Sequence, residues 1–199
     1  MLTCHKDTVL PIDDRVLQSV KDGYELQLDQ AFERLLPDIH GGIPETPYFT
    51  TRSGIVRRVG WFITCYDFDS ELPGEFQNAC YYSNHDERVD DRSLWALLGD
   101  LTSPFFGGER VFPFAALWSP ESGFPSTLHF YSLDSYPDDA LCFDISTAPH
   151  SVVLWKGRHA TDELMKFEDG ECDEPDYSAF TEQVAGSFSE FVGMLRAEP

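Results

Sequence analysis

The sequence predicts an α+β fold: a single domain over residues 1–199, with a central mixed, mostly antiparallel β-sheet, helices packed on it and an amphipathic C-terminal helix. The apolar residues recur at helical spacing in some segments and alternate in others, and these segments do not alternate along the chain as βαβ units would. A length of 199 residues suits one domain, and no linker divides it. Hydrophobic residues make up 42% of the chain, enough for a core.

Two helices are expected before the first strand. The first covers residues 11–20, where a proline occupies the first turn and apolar side chains share one face. The second covers residues 28–36, with apolar residues at helical spacing. Pro37 and then Gly41-Gly42 are expected to stop it, with one of these glycines at positive φ where the chain reverses into a strand.

A β-hairpin is expected next. Residues 48–51 and 55–66 have strand character and flank the turn Arg52-Ser53-Gly54. Apolar side chains occupy both faces of the longer run, which indicates an inner strand or one covered by helices. Residues 67–82 fit no single element, and residues 91–98 predict a third helix.

Further strands are expected in the second half of the chain. The run Val111–Ala115 is interrupted by Pro113, which predicts an edge strand or a connection, because proline cannot donate to a ladder. Alternating apolar residues predict strands over 127–132, 140–145 and 151–156, and a turn through Pro149 joins the last two as a hairpin.

The end of the chain combines an acidic stretch with an apolar stripe. Residues 162–176 hold eight acids against one base and are expected to form an acidic loop. Residues 177–196 predict the last helix, because their large apolar side chains recur every three or four residues. That stripe comprises Phe180, Val184, Phe188, Phe191 and Leu195.

Net charge excludes some classes of partner. The chain has 35 acidic residues against 14 lysines and arginines, a net charge of −21, so a nucleic acid would be repelled. The excess acid has two interpretations: a generally solvated surface, or a surface that meets a basic partner.

Cysteine usage indicates a cytoplasmic protein. The five cysteines are odd in number and include no C-x-x-C pair, so no disulfide framework is expected. Cys65 and Cys142 lie in apolar, strand-like runs and are expected to be buried. The first ten residues lack the apolar region of a signal peptide, and no apolar run is long enough to span a membrane.

Catalytic motifs are not evident. The Gly-Gly pairs at 41–42 and 107–108 match neither phosphate-binding loop, and no nucleophile elbow is present. Neighbouring carboxylates disfavour a thiolate at Cys172. Asp86, Asp90 and Asp91 could in principle hold a hard cation, although their spacing matches no known metal motif. No catalytic residue, cofactor or metal ligand is therefore assigned.

Several stretches together resemble one family. They read AFERLLPDIHGGIPETPYF at 31–49, VFPFA at 111–115, DALCFDIS at 139–146, HSVVLWKG at 150–157 and SFSEFVGML at 187–195. In their order and spacing they resemble the SUKH superfamily, the Smi/Knr-like proteins, most clearly over residues 28–197. One departure is His40, which stands where the family usually has asparagine before Gly-Gly.

The resemblance implies a binding protein without catalytic residues. Many bacterial members resemble immunity proteins that neutralise toxins, often nucleases, and fungal members regulate cell-wall synthesis. The prediction is an immunity protein that binds a basic toxin domain through an acidic surface, with no direct contact to nucleic acid or membrane. A regulatory scaffold of the cell-wall type, or a metal-dependent hydrolase using the acids of 85–91, remain alternatives.

Candidate partner contacts are acids in expected loops, where side chains are free to meet a partner. They are Asp67, Asp69, Glu71, Asp86, Glu87, Asp169, Glu171, Asp173 and Glu174.

Overall fold

Helices and strands follow one another in an order close to that expected. The structure, a computed structural model, describes residues 2–12, 14–23, 28–64, 110–118 and 139–199. The elements are α1 (Asp14–Gly23), α2 (Gln30–Ile39), β1 (Tyr48–Thr50), β2 (Val56–Phe62), β3 (Val111–Leu117), β4 (Ala140–Asp144), β5 (Ser151–Trp155), α3 (Gly157–Glu168), α4 (Tyr177–Phe180), β6 (Thr181–Ala185) and α5 (Phe188–Met194).

The six strands form one sheet in the order β1 to β6, and every pairing between them is antiparallel. The sheet curls into a nearly closed, barrel-like surface, so the β1–β2 turn approaches β6 and the Ser53 N–H donates to the Glu182 carboxylate at 2.9 Å. The outer edge of β1 is covered by the C-terminal segment, because Tyr48 and Arg196 exchange both backbone hydrogen bonds. The predicted α+β class is confirmed.

A cluster of phenylalanine rings forms the centre of the core. All residues of β3, β4 and β5 are buried, so both faces of the inner strands are covered. Helices α2 and α5 meet one face, where ring centroids lie 4.4–6.2 Å apart. The rings are Phe32, Phe49, Phe114, Phe143, Phe188 and Phe191.

Helix α2 continues past the proline that was expected to stop it. Asp29 caps its start, since the Asp29 carboxylate accepts the N–H groups of Ala31 and Phe32. Pro37 lies inside the last turn on the exposed side, where it removes one backbone donor. The helix nevertheless reaches Ile39, because burial of its apolar face against the sheet outweighs that loss. The turn that follows agrees with expectation, with Gly41 at φ +69°.

Strand β3 is an inner strand, so the prediction of an edge or connection at Val111–Ala115 is wrong. The strand pairs with β2 on one side and β4 on the other. An irregularity in its pairing with β4, between Pro113 and Ala115, accommodates the missing proline donor.

The predicted helix over residues 177–196 is wrong in its backbone. Residues Thr181–Ala185 form β6 and pair with β5, which provides partners for the backbone groups on that edge of β5. Helix α5 begins at Phe188 and is capped by Ser187, whose Oγ accepts the Glu190 N–H, while the Glu190 carboxylate accepts the Gly186 N–H. This is close to a capping box, a Ser-x-x-Glu signal that marks a helix start.

The remaining expectations divide into confirmed and untested ones. Helix α1 is present, shifted to Asp14–Gly23. Both hairpins are confirmed, with Gly54 at φ +84° in the first turn and a cis Ala148–Pro149 bond in the second. The stretch 67–82, the helix at 91–98, the strand at 127–132 and Cys65 lie outside the described residues. Within the described ranges, no helix is both long and apolar enough to cross a membrane.

Candidate functional site

The acidic stretch is shorter than expected because its first part is helical. Helix α3 extends to Glu168, so the loop expected over 162–176 begins only at Asp169. The helix ends where Gly170 adopts φ +72°, and the Gly170 and Glu171 N–H groups donate to the carbonyls of Phe167 and Lys166. A left-handed glycine with these bonds is a common helix terminus. The direction in which the acids leave the helix is thereby fixed.

Glu163 fixes the other end of this loop. Glu163 is only 8% exposed, and its carboxylate accepts hydrogen bonds from the Lys166 ammonium and the Asp176 N–H. The hydrogen bond from Lys166 lowers the pKa of Glu163 below its usual value. Asp176 in turn caps α4 by accepting the Ser178 N–H at 2.9 Å. Both ends of the loop are therefore tied to helices.

Four of the nine candidate contacts lie together in this loop. Asp169, Glu171, Asp173 and Glu174 are all exposed, and we call them the α3–α4 acidic loop. The other five candidates lie outside the described residues, namely Asp67, Asp69, Glu71, Asp86 and Glu87. Four of the candidates thus lie together in one solvent-exposed loop whose two ends are tied to helices.

Two of the described thiols, those of Cys4 and Cys142, are poor nucleophiles. Burial raises the pKa of Cys4 to about 12, and burial likewise raises the pKa of Cys142 in β4. A buried thiol that stays protonated neither attacks a substrate nor binds a metal. Burial of Cys142 was predicted and is confirmed. In the ranges that the structure covers, no group of three or more potential metal ligands is assembled, while the acids of 85–91 fall outside those ranges.

His40 is a buried, neutral histidine that links α2 to the N-terminal segment. Its Nδ1 lies 3.2 Å from the Leu10 carbonyl, to which it donates. Burial lowers the pKa of His40 to about 4 despite the hydrogen bonds to backbone at Leu10 and Pro11, which favour the charged form. Because an unfolded histidine titrates near 6.5, its folded and unfolded states differ in protonation between these two values.

Acidification should therefore destabilise the protein through His40. As pH falls through 6.5 the unfolded state binds a proton that the folded state excludes until about pH 4. The free energy of unfolding should fall by about 2 kcal/mol from this group between pH 7.5 and pH 5. Urea melts of the wild type and His40→Gln at both pH values measure it. An equal pH dependence in the two proteins would contradict the assignment.

A second surface was missed by sequence reasoning. Tyr48 pairs with Arg58 across β1 and β2 and with Arg196 on its other side, and directly opposed residues point to the same face. The Trp118 N–H donates to the Arg58 carbonyl at 2.8 Å. We call Arg196, Tyr48, Arg58 and Trp118 the arginine–aromatic row. Strand alternation in β2 could have placed Arg58, but no local signal brings Arg196 beside Tyr48.

Comparison with known proteins adds no relative. No family model, no curated protein and no solved structure matches the chain.

Proposed function

We propose that this chain is a non-enzymatic binding protein of the SUKH-like immunity type. In the cytoplasm it binds a basic toxin domain, such as a nuclease, and uses no cofactor. The observation that supports the proposal is the α3–α4 acidic loop. It presents four exposed carboxylates, and its two ends are tied to helices. The net charge of −21 places this loop within a strongly negative field.

Electrostatics explains how such a surface would work. A nuclease needs lysines and arginines to hold phosphates, so its substrate face is basic. An acidic loop competes for that face, and opposite fields steer the two proteins together, which raises the association rate. Because both ends of the loop are tied to helices, binding costs less ordering entropy than it would for a loop that is free at its ends.

Charge reversal of the loop should slow association with the toxin domain that the proposal assigns as the partner. The variant replaces Asp169, Glu171, Asp173 and Glu174 with lysine. At low salt we expect roughly tenfold slower association, because steering depends on local charge. The difference should shrink toward physiological salt, where screening acts over about 8 Å. Stopped-flow kinetics and protection of cells from the toxin are the measurements. The Asp67/Asp69/Glu71 group is reversed in a separate variant.

A matched control separates local charge from net charge. Four exposed acids outside the candidate set are reversed instead, which gives the same net charge: Asp7, Asp14, Asp38 and Glu198. This control should associate faster than the loop variant. Equal rates for the two proteins, or full protection by a variant with both candidate groups reversed, would contradict the acidic-surface mechanism. Turnover of a substrate upon addition of a divalent metal would contradict the non-enzymatic proposal.

A further inference from the structure

We infer that the arginine–aromatic row is a second interaction surface, which binds an acidic segment of a partner protein. This surface consists of other residues than the α3–α4 acidic loop, and its charge has the opposite sign. The inference therefore goes beyond the function proposed above and does not depend on it.

The geometry of Arg58 provides the first argument. Its guanidinium carbon lies 4.1 Å from the centroid of the Trp118 ring and 5.9 Å from that of Tyr48. Stacking on aromatic rings holds the planar cation in one orientation at low entropic cost. The group is thus positioned before any partner arrives.

The hydrogen bonding of Arg58 provides the second argument. Its Nε atom is buried, and among the described residues it has no hydrogen-bond partner. Nor does Arg58 form an ion pair with any carboxylate of the described ranges. The neighbouring Arg57, in contrast, pairs with Asp139 at 3.0 Å. Arg58 is therefore a positioned cation whose charge no carboxylate of the described ranges neutralises.

The surroundings of Arg58 complete a surface. Arg196 is exposed on the same face, where its guanidinium donates to the Thr50 hydroxyl at 2.8 Å. Val56, two residues before Arg58 and opposite Thr50, is 42% exposed on this face. Two guanidinium groups therefore flank an apolar and aromatic centre. Arginine, tyrosine and tryptophan are the residues enriched at the energetic centres of protein interfaces.

The chemistry of the surface selects its occupant. Guanidinium groups bind carboxylates with paired hydrogen bonds, and Val56 and Tyr48 offer apolar area beside them. A nucleic acid would meet the repulsion of the whole acidic molecule, and a second copy carries that same net charge. A short partner segment in which carboxylates flank an apolar side chain matches the row with the least repulsion.

A labelled peptide tests this surface directly. The probe is a fluorescein-labelled peptide of glutamates flanking leucine, titrated with the folded protein at low salt by fluorescence anisotropy. We expect roughly tenfold weaker binding for Arg58→Gln, in line with the loss of a charge-assisted bidentate contact. Arg58→Lys should also weaken it several-fold, because lysine keeps the charge but lacks the planar fork. The control Arg34→Gln removes an exposed arginine of α2 and should leave affinity unchanged.

Further arms keep the test decisive. Arg196→Gln removes an exposed hydrogen-bond donor near the C-terminus. It should lower the affinity for the peptide, and it can be measured even if Arg58→Gln fails to fold. The inference is overturned if Arg58→Gln and Arg196→Gln bind like Arg34→Gln, if a glutamine version of the peptide binds equally well, or if oligothymidylate binds more tightly. It is also overturned if sedimentation shows a dimer that Arg196→Gln dissociates. Reversal of the α3–α4 acidic loop should leave the Arg196 dependence intact, which separates this test from that of the proposed function.

Discussion

Replacing Phe188 with alanine should lower the free energy of unfolding by about 3–5 kcal/mol. The ring of Phe188 is fully buried, with centroids of Phe32, Phe114 and Phe143 at 5.2, 5.6 and 5.8 Å. It joins α5 to both α2 and the inner strands. Truncation removes apolar area and edge-to-face contacts and leaves a cavity in a rigid setting. Urea denaturation at neutral pH measures the loss.

Two variants calibrate this result. Phe188→Leu keeps most of the volume and should cost clearly less than the alanine variant. Ser189→Ala changes the adjacent exposed position of the same helix and should stay within about 0.5 kcal/mol of the wild type. A loss below about 1 kcal/mol for Phe188→Ala would contradict the packing of α5 against the sheet.

The sequence predicts burial at the C-terminus better than it predicts the backbone. Phe180, Val184, Phe188 and Phe191 are all buried, as the apolar stripe suggested, but they lie on α4, β6 and α5. Leu195, the fifth member of the stripe, follows α5 and is only partly buried against the core. A spacing of three or four residues fits one helical face, and it also fits short elements that return to the same core. Pairing of β6 with β5 decides between these possibilities, and it depends on contacts that no local pattern contains.

Local signals suffice where the turn chemistry is explicit. The hairpin of β4 and β5 combines alternation in both strands with a proline turn, and the structure pairs them from Asp144–Ser151 to Ala140–Trp155. Pro113 misleads for the opposite reason. Its missing donor argues against an inner strand, but a local irregularity of the ladder removes the conflict, and such irregularities arise from tertiary packing.

The two candidate surfaces differ in how visible they are in the sequence. The four carboxylates of the α3–α4 acidic loop fall within residues 169–174, so the sequence alone indicates them as a cluster. The arginine–aromatic row joins β1, β2, the end of β3 and the C-terminal segment. Its members are brought together only by strand register, which a single sequence does not specify without the sheet order.

Replacing Gly41 with alanine should lower the free energy of unfolding by about 2–4 kcal/mol. Gly41 has φ +69°, a conformation that costs an L residue about 1–2 kcal/mol. An added Cβ would also lie 2.8 Å from Thr64 Cγ2 and 3.2 Å from Leu10 Cδ1. Both neighbours are buried and cannot retreat into solvent. Strain and collision therefore act together at the point where α2 turns back toward the sheet.

Two other glycines separate these contributions. Gly54 has φ +84° but open space around its Cα, so Gly54→Ala should show the backbone strain alone, about 1–2 kcal/mol. Gly193 lies in α5 with neither positive φ nor a nearby atom, so Gly193→Ala should stabilise the protein by about 0.5–1 kcal/mol. Thermal and urea melts of the three variants should thus rank Gly41→Ala below Gly54→Ala and Gly54→Ala below Gly193→Ala. If Gly41→Ala is as stable as Gly54→Ala, the segments around Leu10 and Thr64 move to make room for the methyl group. The close packing of Leu10 and Thr64 against Gly41 would then be wrong.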